Sequence, residues 1–189
     1  MARVADALAA QRLDRVHLAG HSLGAAVAAA IAAGSSVDVR SLTLIAPAGL
    51  GPRINGDFIQ GFLAAETEKA LKSWLIQLFH DETRLPQAMI RATLSARAGT
   101  AVAVGQRQAA AHLFEGSTQL FSIRSALARY EGPCRVIVGT EDRIIPASQA
   151  QGLPGHVALH RLAGIGHLPQ IEANSLVARL VGETVRAAG

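Results

Sequence analysis

The sequence predicts an α/β fold: a mostly parallel sheet flanked by helices and interrupted by one long helical insertion. Three observations predict it. Short apolar runs recur at residues 16–20, 42–46, 135–139 and 157–162, and those at 42–46 and 135–139 are continuous rather than alternating, as in parallel strands covered on both faces. Turn residues and then helical sequence follow the runs, so strands and helices alternate. The 189 residues are 50% hydrophobic and 17% charged, which is apolar enough to bury a core and too weakly charged for a disordered chain. A single domain over residues 1–189 is the expected organisation.

Taken in order, residues 2–11 have helical composition with Val4 and Leu8 at helical spacing, and Asp14 and Arg15 lead from them into Val16-His17-Leu18-Ala19-Gly20. From Leu23 the run Gly-Ala-Ala-Val-Ala-Ala-Ala-Ile-Ala-Ala predicts a second helix ending with Gly34 at the C′ position. Its small side chains suit close packing on a sheet. Leu42-Thr43-Leu44-Ile45-Ala46 is the next strand. Residues 49–131 then form an insertion in which Phe58, Phe62, Leu71, Trp74, Leu75, Leu78 and Phe79 fall at helical spacing, predicting a cap of several helices over about residues 51–130. Strands at 135–139 and 157–162 complete the sheet, and a final helix runs from Leu168 or Ile171 to Arg186.

Charge and composition exclude several classes of function. The net charge is only +4, and the arginines are scattered from Arg3 to Arg186 without a basic stripe, so no nucleic-acid partner is expected. The longest strongly apolar stretch, 23–33, is well short of the ~20 residues that cross a bilayer, and the polar N-terminus has no signal-peptide core. No membrane association is expected. One cysteine, Cys134, cannot form an internal disulfide; it reads as a buried strand residue in a reducing, cytoplasmic compartment. His17 with His21, and His156 with His160, are four apart, yet no HExxH helix and no carboxylate at ligand spacing accompanies them. No metal is expected, and these histidines read as ordinary strand or turn residues.

Gly20-His21-Ser22-Leu23-Gly24 places a GxSxG pattern between an apolar strand and a helix, the context of a nucleophile elbow. A serine on so sharp a turn takes strained backbone angles, and the two glycines are expected to let strand and helix approach. The Leu23 amide, at the helix N-terminus, is the candidate oxyanion donor. A serine nucleophile requires an acid and then a histidine at later strand ends. Thr140-Glu141-Asp142-Arg143 supplies the acid, with Asp142 preferred and Glu141 its rival; an ordinary Asx-turn is the other use of Asp142. Gly164-Ile165-Gly166-His167-Leu168-Pro169 places His167 on a flexible loop just before the final helix, where a general base can reach Ser22. The cap aromatics read as the cap's own core, and a few can line an acyl pocket.

GHSLG, GTEDRIIP and GIGHLPQIEA resemble the three signature segments of the α/β-hydrolase superfamily, over nearly the whole chain. More narrowly, Leu44-Ile45-Ala46-Pro47-Ala48-Gly49-Leu50-Gly51-Pro52 followed by Ile54-Asn55-Gly56-Asp57-Phe58-Ile59 resembles the acetoin-dehydrogenase-associated dihydrolipoamide acetyltransferases. The resemblance implies acetyl transfer from dihydrolipoamide to coenzyme A, with a lipoyl domain ahead of the hydrolase-like one. The only lysines, Lys69 and Lys72, lie in helical sequence and not in the turn a lipoylated lysine needs, so the lipoyl group is expected from elsewhere. The family pattern also implies about four strands and a helix before the elbow, including a loop that gives a second oxyanion amide, whereas Ser22 has 21 residues before it. The expectation is thus a partial α/β-hydrolase fold with the 16–19 strand as an apolar sheet edge. Such an edge recruits partners, so a homo-oligomer is expected, with the second oxyanion donor open to supply in trans.

Two functions follow. The first is acyl transfer through a Ser22 acyl-enzyme, with Asp142 orienting His167, Leu23 as oxyanion donor, and a small ester or thioester as substrate. Water as acceptor makes an esterase or thioesterase, and coenzyme A as acceptor makes an acetyltransferase; no covalently bound cofactor is expected. The alternative is a catalytically impaired hydrolase that serves as a structural or interaction module.

Overall fold

In a computed structural model of the chain, the described residues are 4, 7, 8, 10, 11, 13–34, 37–99 and 101–189. The helix expected over residues 2–11 falls largely outside them. The elements used below are strands β1 (Arg15–His21), β2 (Asp38–Ile45), β3 (Phe114–Glu115), β4 (Thr118–Gln119), β5 (Cys134–Gly139) and β6 (Val157–Leu162). The helices are α1 (Leu23–Gly34), α2 (Gly56–Ala64), α3 (Glu68–Leu75), α4 (Gln87–Arg97), α5 (Ala101–Leu113), α6 (Arg124–Arg129), α7 (Pro169–Glu172) and α8 (Asn174–Arg186).

The main sheet has four parallel strands in the order β1-β2-β5-β6. Successive side chains of a strand point to opposite faces, and here both faces are covered. Leu42, Leu44, Val136 and Val138 join a core with Ala25 and Ala29 of α1 and Leu127 of α6. Ile45 and Ile137, out of phase by one, pack against Val177 and Leu180 of α8. The two-sided burial explains why the central runs are continuous, and the alanines of α1 let that helix sit close to the sheet. Cys134 is buried in β5, where desolvation pushes its thiol up to about 12.

β1 is an edge strand, as expected, though less apolar than its sequence suggested. Arg15, His17 and Ala19 are exposed in alternation with half-buried Val16, Leu18 and Gly20. Arg15 also reaches Asp38 of β2 at 3.4 Å, and His17 Nδ1 lies 2.8 Å from Ser41 Oγ. Gly34 departs from the expected C′ role. It is the last residue of α1 and is absent from the positive-φ positions of the chain.

The segment between β2 and β5 is mainly helical, with its own core of Ile54, Phe58, Leu71, Leu75, Phe79 and Ile90. It is not wholly helical. β3 and β4 form a short antiparallel hairpin around Gly116, whose φ of 54° suits glycine. Gln119 ties the hairpin to the segment's entry by donating to the carbonyls of Gly51 and Arg53 and accepting from the Gly49 amide. The final helix is also divided, because Ala173 leaves helical geometry (φ −130°, ψ 44°) between α7 and α8. No helix among the described residues is long and apolar enough to cross a membrane.

Candidate active site

Ser22 sits at the turn between β1 and α1 with φ 53°, left-handed backbone that a non-glycine residue adopts only where its surroundings enforce it. The enforcement is visible. Its N–H donates to Ile45 O at 2.9 Å, and its carbonyl accepts from the amides of Ala25, Ala26 and Ala48. Ala46, just past the neighbouring strand β2, also has positive φ, at 43°. Gly20 allows the turn, since a Cβ there would stand 2.5 Å from Gly24 O and 2.7 Å from Ala25 Cα. Gly24 differs from expectation: a Cβ there would meet open space, so packing requires only the first glycine of the pair.

The three residues picked out by order along the chain come together at the C-terminal ends of three different strands. His167 Nε2 lies 3.0 Å from Ser22 Oγ, and His167 Nδ1 lies 2.7 Å from Asp142 Oδ2. The side chains of His167 and Asp142 are 4% and 2% exposed, so their contact is shielded from water. Asp142 carries both uses foreseen for it. Oδ1 accepts from the amides of Ile144 (2.7 Å) and Ile145 (2.9 Å) in an Asx-type turn, which leaves Oδ2 for the imidazole. Glu141 is not in the arrangement; it is exposed and accepts from Thr140 Oγ1.

His167 does not sit on a flexible loop. Gly166 packs so tightly that a Cβ would stand 2.7 Å from His80 N and 2.8 Å from Leu78 O, and His167 N donates to Leu78 O at 2.8 Å. Buried Glu172 fastens the same place from α7. Its Oε2 accepts from Gly166 N at 2.7 Å and its Oε1 from His80 N at 2.9 Å. Nothing in composition marks Glu172; the only sequence signal is its position one turn into helical sequence after the histidine.

His21 is a second residue that the sequence left among ordinary ones. Its ring packs against His167 with centroids 4.8 Å apart, and its Nε2–H donates to His167 O at 2.7 Å. Its place inside the GxSxG pattern was the available signal. Burial, and then the neighbouring His167, push its pKa down to about 4, so it is neutral at pH 7. The sign of the linkage follows. Between the ordinary value of 6.5 and about 4 the unfolded chain takes a proton that folded His21 refuses, so stability falls as pH falls through that window. By pH 4 the loss reaches about 3 kcal/mol. His160, also shifted down by burial and by Arg135, acts in the same direction. The check is therefore a difference: urea midpoints at pH 7 and pH 4.5 should separate less in His21→Gln than in the parent chain.

A cavity of about 430 Å³ opens on Ser22 and His167. Its walls are chiefly apolar, with Phe58, Phe62, Leu75, Leu78, Met89 and Phe114 from the β2–β5 segment. Some of the cap aromatics do line the pocket, while Trp74 packs with the segment's core. Lys69 and Lys72 lie on α3, away from any turn. Among the described residues no cluster of three or more His, Cys, Asp or Glu could hold a metal ion.

The profile of the alpha/beta hydrolase family matches residues 1–180. The chain belongs to that family. Within the alpha/beta hydrolases it is similar to the dihydrolipoyllysine-residue acetyltransferase component of the acetoin cleaving system of Pseudomonas putida, with 40% identity over 161 residues. The corresponding protein of Cupriavidus necator is 30% identical over 160 residues. Each match covers 85% of this chain but 43% of the relative, so the chain spans less than half the length of these two proteins. Among solved alpha/beta hydrolase structures it is similar to the meta-cleavage product hydrolase of Pseudomonas fluorescens IP01. The TM-score is 0.82 at 20% identity, covering 98% of this chain and 70% of that one. The 2-hydroxy-6-oxo-6-phenylhexa-2,4-dienoate hydrolase of Rhodococcus sp. strain RHA1 gives 0.78 at 18% identity, covering 95% and 66%. At such identities the likeness is one of fold.

Proposed function

We propose that this alpha/beta hydrolase performs serine-based acyl transfer on a small ester or thioester. The observation that carries the reading is the hydrogen-bonded row Ser22–His167–Asp142, with Ser22 Oγ at 3.0 Å from His167 Nε2, facing an apolar cavity. In the proposed reaction His167 Nε2 takes the Ser22 proton as Oγ bonds to the substrate carbonyl carbon. The carbonyl electron pair moves onto oxygen, and the Leu23 N–H, which opens α1 and has no partner one turn back, stabilises that oxyanion. The pair then returns, the C–O or C–S bond breaks, and the leaving group takes the proton from His167. An acceptor gives its proton to His167 in turn, attacks the acyl carbon and frees Ser22. Asp142 holds the imidazole in the tautomer both halves need.

The acceptor divides the reading. Water makes the protein an esterase or thioesterase. The similarity to acetoin-system acetyltransferase components supports a thiol acceptor of the coenzyme A type and a thioester donor of the dihydrolipoamide type. A lone buried Cys134 accords with a reducing, cytoplasmic setting. The β1 edge is the surface on which a second copy would pair, and sedimentation at micromolar concentration reads that directly.

The test is intact-mass analysis after a fluorophosphonate, run beside Ser22→Ala. One adduct per chain, absent from the variant, is the expected result. Loss of a thioester is then followed with and without coenzyme A: acceleration by coenzyme A with a new thioester product identifies the acyltransferase. No adduct on the folded chain overturns the catalytic reading in favour of a structural or interaction module.

A further inference from the structure

The cavity over Ser22 is far larger than an acetyl group needs. A methylene takes up about as much room as a water molecule, ~30 Å³, so a cavity of about 430 Å³ holds on the order of a dozen such groups. Part of its wall is the strand-end wall of the site, with His21, Ser22, Leu23 and His167. The cap helices make the rest. Met89 and Thr93 are four apart on α4, and Gln106, Ala109 and Ala110 stand at spacings of three and four on α5, so each helix turns one face to the cavity. The space therefore extends from Ser22 into the cap. Among the described residues that line it there is no Asp, Glu, Lys or Arg. Thr93 Oγ1 is already used within α4, donating to Met89 O at 2.7 Å.

α5 closes this end of the cavity without fully burying any of its own residues. Ala109 and Ala110 are half-buried and stop at Cβ, so the room in front of them is room that a longer side chain would fill. An uncharged apolar enclosure selects apolar surface: each methylene moved into it from water is stabilised, and a charged group would lose hydration that nothing there replaces. Of the parts of a substrate, the acyl group stays on Ser22 through both half-reactions, whereas leaving group and acceptor enter and depart in each turnover. The acyl chain is the part that a standing apolar pocket serves in both steps. An acetyl group, with two carbons, fills only a small part of it.

We propose that the acyl substrate is a linear, uncharged chain of about six to ten carbons, which with the carbonyl oxygen and the first leaving-group atoms accounts for the groups the cavity holds. Its far end lies against α4 and α5, and Ala109 is a residue that sets the chain length. The assignment to an acyl group rests on the acyl-transfer reading, whereas an apolar-chain site in this cavity does not.

The experiment measures kcat/KM of the full chain for p-nitrophenyl acetate, butyrate, hexanoate, octanoate, decanoate and dodecanoate, below micelle-forming concentrations. The expected result is a rise of about fourfold per methylene that ends at about six to ten carbons. In Ala109→Phe the octanoate-to-butyrate ratio should fall roughly tenfold or more, because the ring takes the space of several methylenes. Ala109→Val should shorten the optimum by about one or two carbons, and it carries the comparison if the phenylalanine variant fails to fold. A series in which acetate is best or length has no effect overturns the proposal, as does a ratio equal in parent and variants. Alkyl thioacetates read the other end of the substrate: a steeper dependence on thiol length than on acyl length gives the cavity to the leaving group and likewise overturns it. Failure of the acyl-transfer reading shows differently, as no fluorophosphonate adduct and no ester turnover. Octanamide and acetamide, which need no turnover, then decide the site by melting shift. Stabilisation by octanamide alone, lost in Ala109→Phe, supports the apolar-chain site, and no stabilisation of the parent chain overturns it.

Discussion

Replacing Asp142 by Asn is expected to lower the proposed acyl transfer by about 10⁴-fold while leaving the fold in place. The reason lies in how the two carboxylate oxygens are divided. Oδ1 accepts from the Ile144 and Ile145 amides, and the carboxamide oxygen of Asn can take over that role. The amide nitrogen then occupies the Oδ2 position, 2.7 Å from His167 Nδ1, where it can only donate. His167 must answer by moving its proton to Nε2, which turns the ring's basic face away from Ser22. The geometry survives and the tautomer is wrong. Asp142→Ala would instead lose the Asx turn as well, so the asparagine variant separates tautomer control from folding. The measurements are the melting temperature, expected to stay within a few degrees, and the single-turnover rate with a chromogenic ester. A rate within tenfold of the parent would exclude Asp142 as the group that orients the base.

The residues that this prediction concerns were legible in the sequence because each lies where a strand must end. Gly20-His21-Ser22-Leu23-Gly24 follows an apolar run and precedes a helix, Asp142 follows the run at 135–139, and His167 follows the run at 157–162. Parallel strands deliver their C-terminal ends to one edge of a sheet, so order along the chain translated directly into proximity. What could not be read was anything set by contacts between segments distant in sequence. Glu172 is one helical acid among others until Gly166 and His80 are seen to converge on it. Arg97 looks like a C-terminal helix cation, an exposed and ordinary choice, until burial and two idle donors set it apart. The β3–β4 hairpin is too short for an alternating pattern to register, and Gly116 was its one local mark. His21 is marked in the sequence by its place inside the GxSxG pattern alone, which says nothing of the His167 ring it packs against.

Glu172→Ala should combine the largest loss of stability with a loss of rate that stability alone does not explain. The carboxylate accepts from three backbone amides: Gly166 at 2.7 Å, His80 at 2.9 Å and Asp81 at 3.4 Å. Truncation leaves the buried Gly166 N–H without an acceptor and strips the part-buried amides of His80 and Asp81 of theirs, and the cost is about 3–4 kcal/mol. Glu172→Gln offers one oxygen where two are used and turns an N–H toward an N–H on the other side, so it should lose about 2–3 kcal/mol. Gly166 immediately precedes His167, and the 164–168 loop is held against residues 78–80 through the His167 N–H to Leu78 O bond as well. Releasing the Glu172 end lets that loop drift, and a displacement of about 1 Å at the imidazole costs on the order of 10²-fold in rate. The two effects separate by temperature. Urea midpoints report the stability loss, and kcat for the chromogenic ester, taken far below the melting temperature of Glu172→Gln, reports the positioning. A purely structural role predicts full kcat under those conditions. A kcat lowered with KM unchanged, together with a slower reaction of Ser22 with fluorophosphonate, places Glu172 as the residue that holds the base in line.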